Sequence, residues 1–464
     1  MEKSRDSFTG RLGFVLAAAG SAVGLGNLWR FPYLAAKDGG GVFLLCYLIL
    51  ALTFGFTLLT TELAIGRKTG ESALGAFKKL HPKAGWIGVI ATLIPALILP
   101  YYCVIGGWVS KFTALFISGD GVSATAEGFF DSFITHPFEP LIWLIIFVIL
   151  TTLIVYLGVG KGIEKMSKIL MPILLVLIVG IALFSLTLSY TNDAGITRTG
   201  LEGFMIYVIP NFEGMTISQF MQILMDAAGQ LFYSISVAMG IMITYGSYVK
   251  KDVNLGDSVN QIEFFDTFVA FLAGLMIVPA VYTFMGLEGM KSGPTLMFVS
   301  LPKVFEAMGV IGPIIGTVFF VTVLFAALTS SVSVMETVVS GVMDRFHMER
   351  KKATILICGI TTIIGIIVCL GYNVLFFKYT LPNGTIGQIL DILDYISNYV
   401  LMPVVSIATC ILIGWILKPE IIYDEVEQGK FKFGRKKLYT IMLKYIVPVL
   451  LVILLLQALG LRLF

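Results

Sequence analysis

Apolar runs of about twenty residues recur along the chain, separated by short polar connections. Each is long enough to cross about 30 Å of hydrocarbon as a helix. The pattern predicts an all-α polytopic membrane protein of about eleven spans, near residues 12–36, 41–66, 86–117, 140–157, 165–188, 219–248, 261–286, 312–344, 353–372, 387–417 and 439–461. Two of these runs are interrupted. The first contains Gly20-Ser-Ala-Val-Gly-Leu-Gly-Asn27, and each glycine costs a helix about 1 kcal/mol relative to alanine. Hydrocarbon penalises unpaired backbone groups, so an irregular stretch at this depth lines a cavity or is buried in protein. Freed carbonyls suit an alkali cation and a freed helix N-terminus suits an anion; the plainer alternative is a glycine kink that only packs against its neighbours. The sixth run carries Ser234-Ile-Ser-Val-Ala-Met-Gly240, and the eighth Ala326-Ala-Leu-Thr-Ser-Ser331. Taken singly, such hydroxyls can bond back to their own helix carbonyls. Breaks five spans apart, however, are the expected sign of inverted repeats around a midplane site. The repeats would be 12–188 and 219–417, with 439–461 as an added helix, all within one transmembrane domain, 1–464.

Composition agrees: 57% of residues are hydrophobic, 13% are charged, and the mean hydropathy is +0.92, far from an ordinary soluble domain. Lys3, Arg5 and Arg11 precede the first span, and basic clusters follow the second, fourth, sixth, eighth and tenth, whereas Ser118–Glu139 contains no Lys or Arg. By the positive-inside rule the N-terminus is cytoplasmic and, after eleven spans, the C-terminus is outside. Met1–Thr9 has no signal-peptide core, so the first span is expected to be retained. All five cysteines fall in apolar segments, which predicts neither a disulfide framework nor a metal cluster.

Charges inside spans are the candidate chemistry. Arg30, Glu62, Asp266, Glu336 and Asp394 all lie within or at the ends of spans. An ionised group near the bilayer centre costs about 2.5–3.5 kcal/mol even on the mild insertion scale, so each needs a partner or water. For Glu62 and Glu336 a structural hydrogen bond is an equal alternative to a functional role; for Asp266 a bound cation is the expected compensation. His81, His136 and His347 all lie in or beside loops, which argues against a zinc peptidase or haem protein. No nucleophile–base pair is evident at depth, so an enzyme is not expected.

One set of motifs carries a resemblance over nearly the whole chain. Gly-Asn-Leu-Trp-Arg-Phe-Pro at 26–32 with Gly20–Leu25 before it, Gly39-Gly40-Gly41, Glu62 with Gly66-Arg67, Ile243-Thr244-Tyr245 and Thr329-Ser330-Ser331 occur in that order. Together they resemble the neurotransmitter:sodium symporter family, most closely its bacterial amino-acid branch, typified by the leucine transporter. Broken helices and inverted repeats are that family's known architecture.

The resemblance implies a sodium-coupled symporter importing a neutral, hydrophobic α-amino acid by alternating access, in the bacterial inner membrane, with two sodium ions. One sodium would be held by the Ala22 carbonyl, Asn27, Ser234, Asp266 and the substrate carboxylate. A second would be held by carbonyls of Gly20, Val23 and Ala326 with the hydroxyls of Thr329 and Ser330. The substrate would lie against Ala22, Gly24, Gly26, Ile98, Tyr102, Tyr233, Ser234, Ser236, Met239, Ser330 and Val334, with Tyr102 on its carboxylate and Tyr233 as a lid. Gly24 stands where monoamine carriers of the family have an aspartate, leaving room for a substrate that brings its own carboxylate. Arg30 and Asp394 fall where the family has its outer gate; Arg5 and Asp344, supported by Tyr248, fall where it has its inner one. Tyr47, Gln230 and Ser234 match positions that hold chloride in some relatives, but the fixed charge of Asp266 predicts no chloride requirement. The implied partners are a small amino acid and the bilayer, with no nucleic acid and no obligatory protein partner.

Overall fold

The computed structural model describes residues 7–192 and 194–461. Among these, nine helices are long and apolar enough to cross a membrane: Gly41–Thr69, Pro82–Ile117, Glu139–Tyr156, Val159–Leu186, Leu255–Met285, Gly309–Phe346, Arg350–Leu370, Ile389–Ile416 and Lys436–Ala458. A tenth crossing is a bent pair, Arg11–Ala22 and Gly26–Lys37, which meet at 53°. Between the fifth and seventh expected spans lie two further helices, Ile217–Ser234 and Ile241–Gly246. They occupy the place of the sixth expected span but are not long and apolar enough to join that count, so the described residues give nine or ten such crossings against the eleven expected.

At two of the ends that differ from the hydropathy reading, local capping explains the difference. The seventh span begins at Leu255 rather than 261, because the Asn254 side chain accepts the Asp257 amide and starts the helix in a polar turn. The second span stops at Gly70, whose left-handed backbone closes the helix through a bond from its N–H to Gly66 O. Gly66 itself is needed for contact: a Cβ there would lie 1.9 Å from Ile243 O. The second span and the inner half of the sixth therefore touch backbone to backbone.

The connection after Leu186 forms a hairpin, Ser189–Thr191 paired with Thr197–Thr199, and then the short helix Gly200–Val208. That helix is docked by Tyr207, whose hydroxyl donates to Phe271 O at 2.9 Å, and by a bridge from Gly40 to Pro210. At the opposite face Arg67 is wholly buried against Glu425, 2.8 Å away, and Arg350 makes a two-pronged bond with Glu336 at 2.6 and 2.9 Å. Glu336 is thus answered by an arginine that follows its helix; its hydroxyl neighbour Tyr248 donates to the same carboxylate at 2.6 Å.

Candidate functional site

Both interruptions open at the same depth and face each other. The first helix ends at Ala22, and Val23 has left the helical region at φ −76°, ψ 86°. In the sixth, Ile235–Gly240 is irregular, and two of its non-glycine residues, Ser236 (φ 55°) and Ala238 (φ 66°), have left-handed backbones. Such conformations cost about 1–3 kcal/mol each and persist only where surroundings over-determine them. The surroundings do so here. Ser236 Oγ donates to Ser21 O at 3.1 Å, and the Ala238 N–H donates to Glu62 Oε1 at 2.5 Å. Glu62, buried in the second span, therefore caps the break in the sixth, which is the structural alternative the sequence allowed.

Around the breaks, oxygen atoms collect in two clusters. In the first, Asp266 Oδ1 receives Asn27 Nδ2 at 2.9 Å and Ser234 Oγ at 2.6 Å, while Oδ2 receives Tyr47 Oη at 3.1 Å. Ser234 Oγ also faces Asn27 Oδ1 at 3.1 Å, so one hydroxyl proton serves two acceptors. In the second cluster Ser330 Oγ faces three carbonyls of the broken first helix: Gly20 at 3.4 Å, Ser21 at 3.1 Å and Val23 at 3.4 Å. Thr329 Oγ1 faces Phe325 O and Ala326 O on its own helix, each at 3.0 Å. A single hydroxyl can donate only once. The second cluster thus sets three carbonyls against one hydroxyl proton, and the first holds a buried carboxylate; oxygen sites of both kinds suit a hard cation. The Thr329 hydroxyl bonds back to its own helix, while that of Ser330 reaches across to the first span.

Between the clusters lies a cavity of about 40 Å³ lined by Ser21, Ala22, Gly24, Leu25, Gly26, Asn27, Ile98, Tyr102, Tyr233, Ser234, Ser236, Met239, Ile241, Ser330 and Val334. All eleven residues expected to contact substrate are in this lining. Leu25 and Ile241, the residues flanking each break on its apolar side, and Ser21 were missed; their position next to Gly24, Gly240 and Gly20 is the signal that could have found them. No charged side chain lines the cavity. Tyr102 Oη has Ser330 and the Leu25 backbone as polar neighbours, yet completes no hydrogen bond among the described residues. A Cβ on Gly24 would lie 2.8 Å from Ser330 Oγ and 3.4 Å from Tyr102 Oη, so a side chain at 24 would crowd both hydroxyls. The cavity has room for a few waters rather than for a whole amino acid, so its walls must part to admit one.

Tyr233 separates this cavity from a vestibule of about 540 Å³ that also touches Arg30, Asn398 and Tyr399. Arg30 lies between two rings, its guanidinium carbon 6.0 Å from the centroid of Tyr233 and 5.9 Å from that of Tyr399. Asp394 receives Tyr101 Oη at 3.0 Å and Asn398 Nδ2 at 2.6 Å. Arg30 and Asp394 feel each other's charge but make no ion-pair contact among the described residues. At the other end Arg5 lies outside the described residues. Asp344 Oδ2 accepts the Ser72 amide at 2.8 Å, and Phe8 donates its amide to Tyr248 O.

Comparison with known proteins decides what kind of molecule carries this site. The model of the sodium:neurotransmitter symporter family matches residues 5–119 and 131–461. The chain belongs to that family. It is accordingly a sodium-dependent symporter of the membrane, moving a small molecule, and not an enzyme. It is 35% identical over its whole length to the Bacillus subtilis protein named uncharacterized sodium-dependent transporter YhdH, itself wholly covered. It is 25% identical to the rat sodium- and chloride-dependent GABA transporter 2, over 91% of this chain and 75% of that one. The crystal structure of MhsT in complex with L-phenylalanine superposes with a TM-score of 0.85 at 37% identity, covering 98% of this chain and all of that one. The symporter thus has the fold expected of its sequence, with first and sixth helices broken.

Proposed function

We propose that this symporter imports a neutral, apolar α-amino acid together with two sodium ions, by alternating access across a bacterial inner membrane. The observation that carries the reading is the pairing of two oxygen clusters, one with a buried carboxylate and one with three carbonyls facing a single hydroxyl, with an uncharged cavity between them, in which Tyr102 Oη has no completed hydrogen bond among the described residues. In this reading Asn27, Ser234, Asp266 and the Ala22 carbonyl hold one sodium, with the substrate carboxylate as a further ligand. Gly20, Val23, Ala326, Thr329 and Ser330 hold the other. Tyr102 takes the substrate carboxylate, the space at Gly24 receives it, and Ile98, Met239, Ile241 and Val334 take the side chain. The bound L-phenylalanine of the related MhsT structure is consistent with such a pocket. Met239 lends it adaptability in shape.

Mechanism follows from these roles. Sodium can shift the conformational equilibrium only by preferring one state. Its preference comes from acceptors that converge only when the broken helices are aligned. Tyr233 then closes over substrate while Arg30 and Asp394 approach; spans one, two, six and seven rock against the rest, and the Arg5–Asp344 pair opens inward. Each charge carried inward gains about 2.3 kcal/mol per 100 mV. The two repeats, 12–188 and 219–417, supply the pseudo-symmetric halves, and the N-terminus faces the cytoplasm. Uptake of a labelled amino-acid panel into proteoliposomes tests the reading: neutral apolar amino acids should accumulate only with an inward sodium gradient. Preference for a cationic or carboxylate-free solute, or uptake indifferent to sodium, would overturn it.

A further inference from the structure

A cleft of about 650 Å³, sharing no lining residue with the Tyr102 cavity, opens toward lipid between the second span and the seventh. Its upper wall is apolar, formed by Leu44, Leu48, Phe268 and Phe271 among others. The inner end is different. Glu263 lines it, is 4% exposed, and neither of its carboxylate oxygens has a hydrogen-bond partner among the described residues. Arg435 Nη2 forms a long ion pair with Glu263 Oε2 at 3.8 Å, beyond hydrogen-bonding distance. That guanidinium sits 3.5 Å over the Phe56 ring centroid and donates to Leu52 O at 3.1 Å and to Asn260 Oδ1. Two of its five N–H donors are used in these bonds.

A buried carboxylate held by one long ion pair and no hydrogen bond is incompletely compensated, and acyl chains alone cannot supply the missing donors. Both members of this long pair keep hydrogen-bonding capacity unfilled, which a ligand carrying the reverse pair of charges could take up. We propose that the cleft binds one phospholipid with a primary-amine head, a phosphatidylethanolamine, with its ammonium on Glu263, its phosphate on Arg435 and an acyl chain along the aromatic wall. The ammonium brings three N–H donors, as a lysine does. A choline head has none, and a glycerol head offers hydroxyl donors but no positive charge to set against Glu263. Tyr47 lines the same cleft and its hydroxyl holds Asp266 Oδ2, so a seated lipid would also steady the oxygen cluster.

The test is native mass spectrometry of the purified full chain titrated with phosphatidylethanolamine, phosphatidylcholine or phosphatidylglycerol of identical acyl chains. The expected result is a one-to-one phosphatidylethanolamine adduct, with phosphatidylcholine at least about tenfold weaker, as loss of a buried charge pair implies. Glu263→Gln should erase that preference, and Arg435→Gln should weaken phosphatidylethanolamine and phosphatidylglycerol alike. Leu48→Trp, at a lipid-exposed position, fills the cleft without touching either charge and should weaken the adduct to a similar degree. Equal binding of the amine and choline heads would show a cleft filled by acyl chains alone. A preference for phosphatidylglycerol would leave Arg435 as the sole determinant. Self-association in place of a lipid adduct would assign the cleft to a second copy. Each of these, or an adduct unchanged by Leu48→Trp, would overturn the proposal.

Discussion

Replacing Asp266 by asparagine separates the role of its charge from the role of its shape. In the wild-type site the carboxylate receives Ser234, Asn27 and Tyr47 at 2.6–3.1 Å. An amide would convert these from charge-assisted bonds, worth about 1.5–3 kcal/mol, to neutral ones of about 0.5–1.5, and would turn an N–H₂ toward one of the existing donors. Its larger effect is on sodium. A carboxylate about 4 Å from a cation contributes about 4 kcal/mol at an effective dielectric of 20, so the variant should bind sodium about 1,000-fold more weakly. The same number explains why chloride should be dispensable in the wild type. A chloride near Tyr47, Gln230 and Ser234 would sit about 4–5 Å from Asp266 and be repelled by about 3–4 kcal/mol. The hydroxyl protons of Tyr47 and Ser234, moreover, are already given to the carboxylate. The assay is sodium-driven uptake in proteoliposomes with external chloride or gluconate. Wild-type uptake should not change; Asp266→Asn should be weak in gluconate and partly restored by chloride, which returns the missing charge. Collapse of wild-type uptake in gluconate, or wild-type sodium affinity of the variant in gluconate, would refute the reasoning.

Four other outcomes are expected. The double change Thr329→Ala, Ser330→Ala should raise the sodium concentration needed for half-maximal uptake at least about tenfold, since two ligands are lost, while thermal melting without sodium stays near wild type; an unaltered sodium dependence would dismiss the second cluster. Asp394→Ala frees Tyr101 and Asn398 but leaves the cavity lining intact, so equilibrium substrate binding should persist as transport falls; lost binding with normal turnover would contradict a gate. Glu62→Ala strips the cap from Ala238 in a strained segment and should destabilise the fold by about 1–3 kcal/mol, read as a lower melting temperature; no change would mean that the break needs no cap. Asp38, in the loop after the first span, is buried beside Asp226 and Lys37, and burial together with Asp226 pushes its carboxyl up to about 7; the folded state therefore holds a proton the unfolded chain has released, and stability should fall as pH rises toward and through 7, a slope that Asp38→Asn should flatten.

Much of this was legible in the chain because hydrocarbon is an exacting solvent. Each span follows from a run of apolar residues, and the two breaks from glycines and serines placed where only a cavity tolerates them. The pocket followed less from pattern than from resemblance, since Ile98, Tyr102 and Val334 sit in ordinary apolar runs and only the fold brings them to the breaks. Partners of buried charges were the least readable. Glu62 meets a backbone amide 176 positions away, and Arg67 meets Glu425 across 358. No local period encodes such pairs. Nor does hydropathy reveal that Glu263, an unremarked residue in an apolar helix, lines a cleft without a hydrogen bond.

The distribution of these bonds bears on how transport would be coupled. Spans one, two, six and seven are laced together by side chains: Ser236 to the Ser21 carbonyl, Glu62 to Ala238, and Asn27, Tyr47 and Ser234 to Asp266, all at 2.5–3.1 Å. Those are the four spans proposed to rock as one body. Across to the eighth span, the Ser330 hydroxyl shares one proton among three carbonyls of the first at 3.1–3.4 Å. That is a weaker tie, with acceptors to spare. A sodium ion placed there would supply the positive charge that the single proton cannot spread over three oxygens, joining the moving body to the fixed one. Its departure would return this link between the first span and the eighth to one shared hydroxyl. On the proposed mechanism the contact between the first span and the eighth would take part of its strength from the ion, while Tyr245 to Ser333 at 2.7 Å and Tyr248 to Glu336 at 2.6 Å tie the sixth span to the eighth by protein alone and would have to part as well.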